Sequence, residues 1–65
     1  MTHDEFFTLL RVERARRNLK WPAFCEIIGV GYQTAARWLM ADDSPHKRWP
    51  KKLVMEAVAA RLKAE

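Results

Sequence analysis

The sequence predicts an all-α protein, a compact domain of four to five helices with a central helix-turn-helix. Three observations lead to this prediction. The chain has 65 residues, which is enough for one small domain over 1–65 and no more. Apolar residues recur at spacings of three and four, as on one face of a helix. Two such short segments meet at Gly29, and glycine commonly ends a helix because it adopts a positive φ.

The first helix is predicted over about 3–17. Thr2 followed by Glu5 fits a capping box, which marks a helix start. The apolar face that follows consists of Phe6, Leu9 and Leu10, with Phe7 on its flank. The second half of the helix is rich in arginine, which suits the negative end of the helix dipole.

The central motif spans about 21–41. The second helix is predicted to begin at Trp21-Pro22. Proline has no backbone N–H, and in the first turn of a helix this N–H would have no partner within the helix. The third helix is predicted over about 31–41. The inward side of the two helices is expected to consist of Phe24, Cys25, Ile28, Ala35, Trp38 and Leu39. Such a pair of helices is a common device for placing the second helix in the major groove of DNA.

The last helix is predicted over about 50–63, after a turn or loop at 42–46. Its apolar residues cover much of its circumference: a stripe of Leu53, Val54, Ala57 and Ala60, and in addition Met55, Val58, Ala59 and Leu62. This is more apolar surface than one small core needs, so we favour a homodimer. The interface is predicted at Val54, Met55, Val58 and Leu62. The alternative is a monomer whose last helix wraps the core and exposes a few alanines.

The charge balance favours an anionic partner. Twelve Lys and Arg residues stand against eight acidic ones, for a net charge of +4 and a pI near 9.7. Two basic stretches, 11–20 and 47–52, flank the central motif. The alternative reading is that both stretches are ordinary solvated surface.

The central segment resembles a known family. Cys25 lies at a small buried position, Ile28 precedes the turn, Gly29-Val30 forms the turn, and Trp38 is the inward aromatic residue. In these features residues 19–41 resemble the helix-turn-helix of Cro- and repressor-type phage regulators. In size and layout the chain is similar to small phage regulators, including the anti-CRISPR-associated repressors. The resemblance covers about a third of the chain and implies sequence-specific binding to double-stranded DNA.

Two positions depart from the family pattern. Gly31 stands where a serine or threonine usually caps the recognition helix, and glycine supplies no side-chain oxygen. Leu39 stands where an acidic residue often follows the inward aromatic, so the buried ion pair of some relatives is not expected here.

The outward face of the third helix is predicted to contact bases. Gln33 can bond the N6 and N7 edge of adenine, and Arg37 can fork onto O6 and N7 of guanine. The predicted base-contacting residues are Tyr32, Gln33, Ala36 and Arg37. The alternative is a solvated helix face.

Contacts to the DNA backbone are predicted around that helix, at Lys20, Trp21, Gly31, Thr34, Lys47 and Arg48. For Trp21 a hydrophobic cover over the core is an equally good reading. Arg14, Arg16 and Arg17 are further candidates, but helix periodicity places them on different sides. They cannot all contact one duplex.

Other classes of function find little support. No nucleophile–base pair, phosphate loop or metal-ligand set is present, so we expect neither an enzyme nor a cofactor or metal site. The single Cys25 excludes an internal disulfide and is expected to be a small core residue in a reducing compartment. His3 and His46 are expected to be exposed and carry no hypothesis. No targeting segment, membrane span or small-molecule effector site is expected.

The sequence therefore predicts a homodimeric repressor that occupies an inverted-repeat operator in the cytoplasm of a bacterial or phage-infected cell. Two alternatives remain open. The first is a small protein that docks onto another protein through the apolar last helix and inhibits it. The second is a recombination accessory factor that bends DNA.

Overall fold

The computed structural model describes residues 1–64, and that range contains four α-helices and no strand. The prediction of an all-α fold is confirmed. No helix in this range is long and apolar enough to cross a membrane. The helices are α1 (His3–Arg16), α2 (Trp21–Ile28), α3 (Tyr32–Trp38) and α4 (Lys52–Ala64).

α1 begins with the predicted capping box. The Thr2 hydroxyl accepts a bond from the Glu5 backbone N–H at 3.1 Å, and the Thr2 N–H donates to the Glu5 carboxylate at 2.7 Å. The predicted apolar face needs one correction. Phe7 is buried together with Phe6 and Leu10, whereas Leu9 is only partly buried. The reason is a ring contact that sequence periodicity does not reveal: Phe7 packs 6.0 Å from Trp49.

A three-residue turn over 29–31 joins α2 to α3. Gly29 has a φ of 73°, as predicted, and its N–H donates to the Cys25 carbonyl. The Arg61 side chain covers this turn, and its Nε donates to the Ile27 carbonyl at 3.1 Å. A Cβ at position 29 would lie 3.2 Å from the Arg61 guanidinium carbon. Gly31 precedes α3 and supplies no side-chain cap.

The core lies where the four helices meet. Phe6 on α1 packs edge-on against Trp38 on α3, with ring centroids 5.6 Å apart. Burial raises the pKa of the Cys25 thiol, which is typical of an unreactive packing residue. The hydrophobic core consists of Phe6, Phe7, Leu10, Phe24, Cys25, Ile28, Ala35, Trp38, Met55, Val58 and Leu62.

α3 ends at Trp38, three residues before the predicted end. Donors in the following loop form hydrogen bonds to carbonyls that the next turn of a longer helix would otherwise bond. The Arg48 N–H donates to the Arg37 carbonyl at 3.2 Å, and the Lys47 ammonium group donates to the Trp38 carbonyl at 2.6 Å. The connection between α3 and α4 is thereby pinned to the end of α3.

α4 begins at Lys52, two residues later than predicted from Pro50. The Pro50 carbonyl accepts a bond from His3 Nε2 at 2.8 Å and so is directed toward α1. The first helical bond of this segment runs from the Met55 N–H to the Lys51 carbonyl at 3.0 Å.

The prediction of the dimer interface on α4 is wrong for three of its four residues. Met55, Val58 and Leu62 are buried in the core of the protein's own chain, so they offer almost no surface to a partner. Only Val54 is exposed. The outward face is the other predicted stripe, which consists of Leu53, Val54, Ala57 and Ala60.

Candidate nucleic-acid interface

α3 presents a polar face opposite its buried anchors. Ala35 and Trp38 fix the helix against the core. Gln33 and Arg37 lie one turn apart, so they share one side of the helix, and both are exposed. Tyr32 is 53% exposed, and Ala36 is partly buried. Three of the four predicted base-contacting residues are thus open to a partner. The fourth, Ala36, has a small side chain that lets a partner come close to the helix.

A cleft of about 390 Å³ lies between α3 and the segment that leads into α4. Gln33, Thr34 and Arg37 line it from α3, and Arg48 and Lys51 line it from the opposite side. Its apolar wall consists of Trp38, Trp49, Pro50 and Val54. The cleft therefore brings together four predicted DNA-contacting residues from two separate segments.

Sequence reasoning missed two residues of this cleft. Lys51 and Trp49 both line the cleft, but in the sequence they are visible only as members of the basic stretch 47–52. The one signal in the sequence was the density of charge in that stretch. It does not reveal which side chains point toward α3.

The cations of the cleft are not neutralised by the protein itself. Arg37, Arg48 and Lys51 form no salt bridge with any residue of 1–64. By contrast, Arg16 and Arg17 pair with Glu13 at 2.8 and 3.1 Å. Beside α3, Arg37, Arg48 and Lys51 therefore place positive charge that has no ion pair among the described residues, whereas two arginines at the end of α1 are paired with Glu13.

The arginines at the end of α1 serve the fold. The bond from Arg16, and next that from Arg17, lowers the pKa of Glu13 to about 2. Arg17 also donates to the Leu62 carbonyl of α4 at 3.4 Å. Arg14 donates to the Leu19 carbonyl at 2.9 Å. Arg14 and Arg17 thus act within the chain, while Arg16 remains largely exposed despite its ion pair.

Lys47 is not a backbone contact, contrary to the prediction. Its side chain is only 3% exposed, and its ammonium group donates to the carbonyls of Trp38 and Met40 at 2.6 and 2.7 Å. The same nitrogen lies 4.6 Å from the ring centre of Phe7 and 4.5 Å from that of Trp49. A DNA phosphate cannot reach a charge that is enclosed in this way.

Trp21 lies over the core at the start of α2. Its ring packs edge-on against Phe24 at 5.9 Å, and the Arg14 guanidinium lies over it at 5.0 Å. The structure thus favours the interpretation that Trp21 covers the hydrophobic core over the interpretation that it contacts a phosphate. The other predicted backbone-contacting residues, Lys20, Gly31, Thr34 and Arg48, are exposed.

His3 was predicted to be an isolated exposed residue, but this prediction is wrong. It is partly buried, and besides its bond to Pro50 its ring meets Trp49 edge-on at 5.1 Å. His46 is exposed, as predicted. The contact from His3 fixes the Trp49 ring at the border of the cleft.

The chemistry of the cleft is that of anion and hydrogen-bond recognition. Within residues 1–64, no group of three or more His, Cys, Asp and Glu side chains is placed to hold a metal ion. Comparisons with protein families, curated proteins and solved structures give no match to this chain. The assignment of function therefore rests on the residues described above.

Proposed function

We propose that this protein is a sequence-specific regulator of transcription that binds double-stranded DNA and inserts α3 into the major groove. One observation carries the proposal. α3 is anchored by two buried residues and exposes Gln33 and Arg37 beside a cleft whose cations have no acidic partner among residues 1–64. Two protruding residues that can read bases, next to free positive charge, are what a duplex requires.

The base contacts follow from side-chain geometry. The Arg37 guanidinium can donate two bonds to O6 and N7 of guanine, and the Gln33 amide can pair with N6 and N7 of adenine. Tyr32 is exposed on the adjacent side of α3, where it lies near Trp21 and Ala36, and it can contact a base or phosphate next to those read by Gln33 and Arg37. Ala36 is small, so its methyl group can meet a thymine methyl without holding the helix away from the groove.

The phosphate contacts are assigned to Lys20, Thr34, Arg48 and Lys51. The N–H of Arg48 is bonded to the carbonyl of Arg37, so a phosphate-binding residue and a base-reading residue are joined by one hydrogen bond. Phosphate contacts fix the register of a protein on the duplex, whereas base contacts supply specificity. This coupling favours a defined register of α3 in the groove.

We propose further that the protein acts as a homodimeric repressor on an inverted repeat. Two α3 helices would then lie about 34 Å apart, which is one turn of duplex. The surface that supports a second copy is the outward face of α4, where Leu53 is 78% exposed. Repression follows from occupancy, because a bound dimer excludes polymerase from the promoter.

Salt dependence tests the proposal against protein docking. A dimer with about three phosphate contacts in each half should lose roughly a thousandfold in duplex affinity between about 50 and 200 mM salt. Fluorescence anisotropy with a labelled duplex measures this directly. Apolar docking through α4 predicts no DNA binding and little effect of salt on the partner's affinity, which would overturn the proposal.

A further inference from the structure

Trp49 is a fixed aromatic surface at the border of the cleft. Its ring is held by His3 at 5.1 Å, by the Lys47 ammonium group at 4.5 Å and by Phe7 at 6.0 Å. Nevertheless the residue stays 47% exposed and lines the cleft. A ring that is already immobilised loses little conformational freedom when a ligand stacks on it.

The surroundings of this ring combine an apolar wall with a cationic rim. Val54 and Pro50 continue the wall, and Arg37, Arg48 and Lys51 supply the rim. None of the three cations has a salt-bridge partner within residues 1–64. Stacking of a base on an aromatic ring next to basic side chains is the general way in which proteins hold unpaired nucleotides.

We infer that the cleft binds one unpaired nucleotide, with its base on Trp49 and its phosphate on Arg48 and Lys51. A volume of about 390 Å³ lies within the range of small-ligand sites. A base inside a duplex cannot be the ligand, because its faces are covered by its neighbours. The nucleotide is therefore either a free mononucleotide or an unpaired residue of a DNA strand.

The inference goes beyond the reading of duplex DNA and does not depend on it. Trp49 has no part in the proposed base contacts, and its stacking surface exists whether or not α3 enters a groove. The two sites nevertheless share residues, because Gln33 and Arg37 line the cleft and because Arg48 and Lys51 bind phosphate in both proposals. A bound nucleotide therefore competes with duplex DNA, in contrast to the sequence-based expectation of no small-molecule effector.

The first test uses thymidine 5′-monophosphate and, as a ligand without a base, ribose 5-phosphate. The indole N–H signals of the three tryptophans are followed by NMR and assigned by single substitutions. The nucleotide should shift the Trp49 signal and bind at least about fivefold tighter than the sugar phosphate, since stacking supplies the difference. Equal affinities with an unmoved Trp49 signal would exclude a free mononucleotide as the ligand and leave only an unpaired nucleotide within DNA, which the overhang duplex tests.

Three variants locate the ligand. Trp49→Leu should reduce nucleotide affinity to that of ribose 5-phosphate. Lys51→Gln should weaken both ligands, and it is a safe second variant because the Lys51 side chain is exposed and makes no hydrogen bond within residues 1–64. Lys52→Gln removes the same charge from the neighbouring position, which does not line the cleft, and should change neither affinity. Equal loss in the Lys51 and Lys52 variants would contradict the assignment.

A second comparison separates the two sources of nucleotide. A short duplex with one unpaired 5′ nucleotide is titrated beside the blunt duplex. A Trp49 shift with the monophosphate identifies a free nucleotide as a sufficient ligand, and a shift with the overhang alone identifies a nucleotide within DNA. If neither ligand shifts Trp49 while the blunt duplex binds, this inference fails and the proposed function stands. If the monophosphate shifts the Trp49 signal while the duplex does not bind, this inference stands and the proposed function fails.

Discussion

The Lys47 ammonium nitrogen lies 2.6 Å from the Trp38 carbonyl oxygen at the C-terminal end of α3. This bond places a buried positive charge at the negative end of the helix dipole. It also holds the loop that carries Arg48 and Trp49. Lys47, which was assigned to phosphate from the sequence, is therefore a structural residue that holds the loop against the end of α3 and so stabilises both sides of the cleft.

Loss of the Lys47 hydrogen bonds should reduce the stability of the protein and leave the salt dependence of its duplex affinity unchanged. Lys47→Met removes two charged hydrogen bonds and should lower the free energy of unfolding by about 2–3 kcal/mol. Thermal or urea unfolding measures this. Arg48→Ala is the comparison, because the loss of a true phosphate contact should reduce the salt slope of duplex affinity by about one. A normal melting temperature with a reduced salt slope for Lys47→Met would show that Lys47 contacts phosphate after all.

Removal of the Arg37 side chain should weaken and relax base recognition. Arg37→Ala should cost about 1–3 kcal/mol on the specific site and abolish the preference at one base pair. Competition binding with single-base variants of the site measures both effects. Arg11→Ala is the control, since Arg11 is an exposed cation of α1 that does not line the cleft. Equal weakening on every sequence would make Arg37 a phosphate contact.

The two faces of α4 should respond differently to substitution. Leu62→Ala opens the core and should cost about 2–5 kcal/mol of stability. Leu53→Glu alters an exposed residue, so it should leave monomer stability within about 0.5 kcal/mol and convert a dimer to a monomer. Chemical unfolding and analytical ultracentrifugation measure these outcomes. An unchanged dimer mass in Leu53→Glu would exclude the outward face as the interface.

Glu13 should make stability depend on pH in the acid range. Its pKa is about 2 in the folded protein against an ordinary 4.5, so the unfolded chain binds more protons between these values. The stabilisation is therefore complete above about pH 5 and is lost as the pH falls toward 2. Glu13→Gln should flatten this part of the stability curve, measured by urea unfolding at several pH values. The exposed Glu26→Gln serves as control, and an equal change in both variants would contradict the role of the Glu13 pairs.

Local chemistry made much of the fold predictable. The Thr2–Glu5 capping box, the proline at the start of α2 and the positive φ of Gly29 depend on residues close in sequence, and the structure contains all three. The buried positions of α2 and α3 follow from periodicity alone. Leu39, which was also predicted to face inward, lies just beyond the end of α3 and is only partly buried against the core. The exposure of Gln33 and Arg37 follows in turn, since they lie opposite the buried positions.

Long-range contacts were not predictable in the same way. Burial of Phe7 depends on Trp49, and the bond of His3 depends on Pro50, which is 47 positions away. Both stripes of α4 are apolar, so the pattern could not indicate which one faces the core. The role of Lys47 required the path of the loop, which no periodicity describes.

Selection from a randomised duplex pool at about 150 mM salt, near physiological ionic strength, tests the central claim most directly. The account predicts an inverted-repeat consensus with half-sites about one helical turn apart. It also predicts that selection with Arg37→Ala loses one base preference in each half-site. Failure of the wild-type protein to enrich any sequence would contradict sequence-specific DNA binding by α3.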